Sequence, residues 1–273
     1  MENHIIVTED SKNLRALGLE ALRGNWKQAV VVTLVYMVIV VVPPMFIDAI
    51  FGQTVDFTQF MNVLDSSGNY TYSFGNESLM TKSTPLSGVY VLLISGPMAY
   101  GITVFFMSLF RKTTSDMAQL FVGFERFGKT LGLSLWIALW VFLWLLIPIA
   151  GLVLAPIAAI KYSQAYFVMA DNPNLSIREC LNESKRLMNG NKAKYFCLCL
   201  SFIGWGLLAC VPVFLLSGLG VLFGLYGLVL DLYSLLISAG FLWVFVYMYS
   251  TEVGFYDILT GKLKGDTYTP GEY

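Results

Sequence analysis

The stretch LGLSLWIALWVFLWLLIPIAGLVLAPIAAIKYSQAYFVMA, residues 131–170, decides the fold. It is 40 residues long and carries one charged side chain, Lys161. An α-helix rises about 1.5 Å per residue, so a single helix here would be about 60 Å long, about twice the hydrocarbon thickness of a bilayer. The chain must therefore turn back. The segment from Pro148 to Gly151 is the expected hairpin, which predicts membrane spans at residues 131–148 and 152–170.

The composition of the whole sequence is also typical of a membrane protein. Of the 273 residues, 56% are hydrophobic and 13% are charged, and the mean hydropathy is +0.67. Soluble domains carry about 25% charged residues, so a soluble globular protein of this length is excluded. The formal net charge is −1, with 17 Lys and Arg against 18 Asp and Glu, which argues against a nucleic-acid-binding protein.

Four further apolar segments have the length of membrane spans. Together they predict an all-α fold, in which residues 1–273 form a single membrane domain. About six transmembrane helices form a polytopic bundle, with amphipathic interfacial and cytoplasmic helices beside it. The predicted spans are residues 28–47, 86–110, 131–148, 152–170, 195–216 and 219–249. The last segment is longer than one upright helix needs, so a tilted sixth span and a pair of spans both remain open.

The segments between the spans are polar or amphipathic. Residues 50–85 are rich in Asn, Ser, Thr, Gly and Tyr and predict a polar extracellular loop. Residues 8–26 and 116–129 carry apolar side chains at helical spacing and predict helices lying on the membrane surface. In residues 174–190, a capping-box pattern that begins at Ser176 predicts a cytoplasmic helix, which stops near Gly190.

The basic residues predict the orientation in the membrane. With six spans, 15 of the 17 Lys and Arg residues fall on one side, and Lys82 alone falls on the other. Cytoplasmic loops carry the excess of Lys and Arg, so the amino terminus and the carboxyl terminus are both expected in the cytoplasm. A seventh span would move only the tail lysines, Lys262 and Lys264, to the other side.

Two charges fall inside predicted spans, where each costs at least about 2.5 kcal/mol on insertion scales. Lys161 and Asp231 are expected at similar depth, about 15 Å below the outer face. The polar residues Ser163, Gln164 and Tyr233 are candidates to line the same interior. Three interpretations stay open: a structural ion pair, a polar cavity for a substrate, proton or ion, or two charges that never meet.

Patterns of catalysis and metal binding are absent from the sequence. Four Cys and a lone His form no recognisable ligand set, and there is no phosphate-binding loop, zinc-protease motif or nucleophile elbow. We therefore expect no enzyme activity, no metal and no cofactor. Asp48 and Glu252 lie at the ends of predicted spans and are interpreted as boundary charges.

Several motifs resemble those of the bacterial domain-of-unknown-function 975 (DUF975) membrane proteins. They are ALRGNW at residues 21–26, LLIP at 145–148, KYS at 161–163, MADNP at 169–173, LMNGNK at 187–192 and SFIGW at 201–205. The resemblance implies a multi-pass protein of the bacterial cytoplasmic (plasma) membrane, and it implies no activity.

The leading hypothesis is a non-enzymatic, transport-associated, export or immunity-like membrane component. Its expected partners are the lipid bilayer and other membrane proteins, and the sequence identifies no substrate. The alternative is a small-solute or lipid permease that uses a polar midplane site around Lys161 and Asp231. An intramembrane enzyme is the third and weakest hypothesis. A continuous polar cavity reaching Lys161 would favour the permease over the component.

Overall fold

A computed structural model describes residues 5–51, 53–54, 82–147, 150–223 and 226–263. Within these ranges, the side chains of residues 53, 54, 82, 83, 150, 152, 153 and 212–239 are not described. The fold is all-helical apart from one antiparallel pair of two-residue strands, β1 (Gln53–Thr54) and β2 (Lys82–Ser83). The described helices are α1 (Ser11–Ala21), α2 (Trp26–Phe51), α3 (Pro85–Phe110), a 3₁₀ turn (Met117–Phe121), α4 (Val122–Glu125), α5 (Phe127–Leu145), α6 (Ala150–Tyr162), α7 (Ala165–Asp171), α8 (Ile177–Leu187), α9 (Lys192–Phe223) and α10 (Tyr226–Leu259).

Four described helices are long and apolar enough to cross a membrane. They are α2, α3, α5 and, within α9, Lys192–Val211. The prediction of an all-α protein with membrane-spanning helices is confirmed to this extent, and the total of six spans stays a prediction. Residues 152–170 are divided between α6 and α7, each shorter than a span, and the side chains of α10 are described only from residue 240.

The boundary between the last two predicted spans differs from expectation. The predicted fifth span ends at residue 216 and the sixth begins at residue 219, but α9 continues to Phe223 through Gly218 and Gly220. A glycine inside a helix costs only about 1 kcal/mol, and the surrounding run of Leu, Val and Phe continues the helix through both positions.

The amino-terminal helix packs on the protein itself. Leu14, Leu17 and Gly18 of α1 are buried, and the Ser250 hydroxyl of α10 donates to the Gly18 carbonyl over 3.0 Å. A Cβ atom at residue 18 would lie 2.4 Å from the Thr251 hydroxyl oxygen, so only glycine allows this approach. The predicted surface helix thus exists, but it is shorter than residues 8–26 and its apolar side contacts α10.

Residues 116–129 do not form the single amphipathic helix that their spacing predicts. They form the 3₁₀ turn, α4 and the first residues of α5, and they pack closely against α3. A Cβ atom at Gly101 would lie 1.9 Å from the Leu120 carbonyl oxygen, and one at Gly123 would lie 2.0 Å from the Pro97 carbonyl oxygen. Such backbone contacts between two glycines and their neighbours cannot be read from hydrophobic periodicity.

The capping box of the polar helix α8 is confirmed. The Glu179 backbone N–H donates to the Ser176 hydroxyl, and the Ser176 backbone N–H donates to the Glu179 carboxylate over 2.7 Å. Gly190 has φ of 74°, the left-handed conformation that ends a helix and favours glycine.

The two described ends of the chain meet beside α8. The Val7 backbone N–H donates to the Asn191 side-chain oxygen over 2.8 Å, and the Asn191 amide donates to the Ile5 carbonyl over 2.9 Å. A Cβ atom at Gly261 would lie 3.1 Å from the Ile5 side chain. Residues near both termini therefore occupy the same end of the helices.

Candidate functional site

The helix break between α6 and α7 places polar side chains inside the protein. The Ser163 hydroxyl donates to the Ile160 carbonyl over 2.9 Å, and the Ser163 backbone N–H donates to the same carbonyl over 3.3 Å. Gln164 is fully buried, and its amide nitrogen donates to the Ser163 hydroxyl over 3.0 Å. Within the described part of the chain, the Gln164 side-chain oxygen has no hydrogen-bond donor.

Two residues from other helices extend this group. The Tyr195 hydroxyl of α9 donates to the Glu252 carboxylate of α10 over 2.9 Å, and the Ser163 hydroxyl lies within reach of the same Tyr195 hydroxyl. Ser163, Gln164, Tyr195 and Glu252 thus form a continuous group, called the polar cluster below. It joins the helix break to α9 and α10.

The carboxylate in the polar cluster has no cationic partner among the described residues. Glu252 is partly buried and lies three residues beyond the predicted span that ends at residue 249. Desolvation by burial raises the pKa of its carboxyl to about 7, although the hydrogen bond from Tyr195 acts in the opposite direction. A carboxyl in this position can exchange a proton near neutral pH.

The predicted site residues are only partly brought together. Ser163 and Gln164 are in contact, whereas Lys161 lies at the end of α6 against α8, where its carbonyl accepts from the Ser184 hydroxyl over 3.0 Å. The Lys161 ammonium is 5.7 Å from the ring centre of Tyr162. The side chains of Asp231 and Tyr233 lie outside the described residues, so the Lys161–Asp231 pair stays a prediction.

Sequence reasoning did not identify Tyr195 as a partner of Glu252. Glu252 was expected to be a boundary charge because it follows a predicted span, and this stays a prediction. In the structure α10 continues to Leu259, and the Glu252 carboxylate accepts from the Tyr195 hydroxyl of α9. The usable signal for the longer helix is the apolar character of residues 253–259, in which Asp257 is the one charged residue.

A second polar group lies at the ends of α3, α7 and α10. Arg111 donates to Asp171 over 2.6 Å and to Asp257 over 2.5 Å, and Lys262 donates to Asp171 over 2.5 Å. These four residues are called the ion-pair cluster. The two carboxylates are well buried, with side-chain exposures of 11% for Asp171 and 3% for Asp257. The cluster fastens three helix ends together.

Two cations keep the carboxyl group of Asp171 charged. Burial opposes ionisation of Asp171, but hydrogen bonds from Arg111 and Lys262 outweigh that effect and hold the pKa of its carboxyl below its ordinary value. The Lys262 backbone N–H also donates to the Asp257 backbone carbonyl over 2.8 Å, which holds Lys262 close to the end of α10.

Two cavities border the ion-pair cluster. One of about 310 Å³ lies between α1 and the Arg111 side chain, and one of about 440 Å³ lies between α8 and the Asp171 side chain. Neither of these two cavities is lined by Lys161, Ser163 or Gln164. These two cavities therefore lie at the ends of the helices.

The long apolar helices and the two polar groups define a helical, membrane-associated protein. The family model described as "Protein of unknown function (DUF975)" matches residues 7–159 and 149–262, and the chain belongs to this family. The family resemblance of the sequence motifs is thereby confirmed. Neither the curated proteins nor the solved structures contain a match to this chain.

Proposed function

We propose that this protein is a non-enzymatic, multi-span component of the bacterial plasma membrane, of a transport-associated, export or immunity-like kind. The observation that carries the proposal is how little the protein itself covers three of its four described long apolar helices, whereas half of the most apolar 18-residue window of α3 is buried. In the most apolar 18-residue windows of α2 and α5, 11% of the residues are buried, and in that of α9 the share is 17%. Surfaces this apolar require lipid or another membrane protein around them.

The termini support an even number of crossings with both ends in the cytoplasm. Ile5 and Gly261 lie close together, since a Cβ atom at Gly261 would be 3.1 Å from the Ile5 side chain, and the Lys194 ammonium donates to the Thr8 carbonyl over 3.2 Å. Both described ends of the chain therefore share one end of the helices. The same end carries the basic residues of α8. An excess of Lys and Arg favours the cytoplasmic side.

Cysteine accessibility tests this orientation. All four native cysteines are replaced by Ala, and single cysteines are introduced as Asn13→Cys, Ser67→Cys and Asn182→Cys. A membrane-impermeant maleimide applied to intact cells is expected to label Ser67→Cys alone, and to label the other two after permeabilisation. Labelling of Asn182→Cys in intact cells would contradict the proposal, and the cysteine-free protein controls for background.

The permease alternative is favoured by one observation, the broken helix with its buried, unpaired Gln164 oxygen. Interrupted helices supply binding groups in many transporters. A water-filled path to the break would make Ser163→Cys react with a small charged methanethiosulfonate about as fast as the exposed Asn182→Cys. We expect at least about 100-fold slower reaction, because the two described cavities are lined by other residues. Equal reaction rates would contradict the proposal of a membrane component and favour the permease.

A further inference from the structure

We propose that the polar cluster is a proton-binding site, in which Glu252 takes up and releases a proton while Tyr195 turns its hydroxyl between Glu252 and Ser163. The ligand is a proton delivered by water. The inference does not depend on the proposed function, because a proton can bind in a sealed interior as well as in a permease.

The hydrogen bonds of the polar cluster leave acceptors in excess. Tyr195 gives its one O–H to Glu252, Ser163 gives its one O–H to the Ile160 carbonyl, and Gln164 donates to Ser163. The Gln164 oxygen then remains without a donor in the described part of the chain, although Gln164 is fully buried. A buried group with more acceptors than donors is stabilised by one added proton.

The protonated state gives every hydroxyl of the polar cluster a hydrogen-bond partner, while the Gln164 oxygen stays without a donor in the described part of the chain. When Glu252 is neutral, its new O–H donates to the Tyr195 oxygen, and the Tyr195 O–H turns towards the Ser163 oxygen. A hydroxyl oxygen has two lone pairs, so Ser163 can accept from Tyr195 while it accepts from Gln164. No bond between heavy atoms changes, and the proton returns to water when Glu252 ionises.

The surroundings of Glu252 are neutral on each element for which contacts are described. Tyr195 and Cys199 approach it from α9, and Tyr249 lies one turn earlier on α10. Three cations on or next to helices that pack against α9 or α10 are engaged with other groups: Arg15 of α1 with the Ser201 carbonyl, Arg111 at the end of α3 with Asp171 and Asp257, and Lys161 of α6 beside Tyr162. With no cation to hold the carboxylate charged, burial favours its neutral form, in agreement with the raised pKa.

Infrared spectroscopy of the purified full-length protein tests the site. The probe is the proton itself, followed through the C=O band of protonated carboxyl groups between about pH 5 and pH 9. We expect a band that disappears with a midpoint near pH 7, that is absent in Glu252→Gln, and that persists in Glu125→Gln, an exposed acid on α4. A midpoint in the ordinary glutamate range, or a band unaffected by Glu252→Gln, would overturn the proposal.

Tyr195→Phe provides an independent test if Glu252→Gln does not fold. Because the Tyr195 hydroxyl donates to the ionised carboxylate, removing it disfavours the charged form and should move the midpoint upward by about one pH unit. A role in packing alone would leave the midpoint unchanged, which would overturn the proposal. The cysteine-labelling results do not affect either outcome, so failure of this site and failure of the proposed function are distinguishable.

Discussion

Glu252 and Asp257 lie five residues apart on the same helix, α10, but their electrostatic surroundings differ. Asp257 pairs with the guanidinium of Arg111, whereas Glu252 accepts a hydrogen bond from the neutral hydroxyl of Tyr195. Five residues rotate the side chain by about 140° around the helix axis, so the two acids face different neighbours. The partner, more than the helix, therefore sets the electrostatic surroundings of each acid.

The largest effect is expected from Arg111→Met, which leaves Asp171 and Asp257 buried without their shared cation. Removing one partner of a buried ion pair costs about 3 kcal/mol. The free energy of unfolding, measured by titration with sodium dodecyl sulfate in mixed micelles, should fall by about this amount. The matched control is Arg23→Met, an exposed arginine between α1 and α2. An equal loss in both variants would mean that the ion-pair cluster does not fasten the helix ends.

The next largest effects are expected from the two acids of α10, whose substitutions should change the free energy of unfolding in opposite directions. At about pH 8, Asp257→Asn should lower the free energy of unfolding by about 2 kcal/mol, because Arg111 loses an ionised partner. Glu252→Gln should raise it by about 1 kcal/mol, because an uncompensated charge is removed from a buried position. The same mixed-micelle titration measures both variants, and losses of similar size would remove the distinction between the two clusters.

Lys262→Ala should have the smallest effect. The Lys262 side chain is 44% exposed, so solvent screens its ion pair with Asp171. Exposed ion pairs contribute about 0.5 kcal/mol, and the loss on unfolding should be of this order. A loss as large as that of Arg111→Met would show that Lys262, and not Arg111, neutralises the cluster.

Much of the helical framework follows from the sequence, because long apolar runs with few charges leave the backbone only the helix as a hydrogen-bonded form in a membrane. The capping box at Ser176 is equally local, since it involves residues three positions apart. Helix ends are harder to predict. The sequence predicts a boundary between spans at residues 216–219, yet the apolar residues around it continue α9 to Phe223.

The partners of the polar residues could not be predicted in the same way. Ser163 and Gln164 were recognised as polar residues inside an apolar stretch, but Tyr195 lies 31 residues later and Glu252 lies 57 residues beyond Tyr195. Their contact depends on how α9 and α10 pack, which no periodicity encodes. The close approach of Gly18 to Thr251 illustrates the same limit, because a glycine in a helix has no sequence signal for the neighbour it admits.

Asp171 is held charged by its cationic partners, whereas we propose that Glu252 exchanges a proton, and the dependence of stability on pH distinguishes these two roles. The folded-state pKa of Asp171 is below its ordinary value of 3.8, so its contribution is present above that value and is lost as the pH falls through the lowered pKa. The folded-state pKa of Glu252, about 7, is above its ordinary 4.5, so its contribution is full below about 4.5 and is lost as the pH rises through about 7.

The measurement is the melting temperature of the purified protein across pH, for the wild type, Glu252→Gln and Asp171→Asn. Glu252→Gln should abolish the fall in melting temperature between about pH 5 and pH 8, and it should leave the loss of stability at acidic pH unchanged. Asp171→Asn should weaken the loss at acidic pH alone. A fall in melting temperature towards alkaline pH that persists in Glu252→Gln, or one that Asp171→Asn removes instead, would contradict these roles of the two acids.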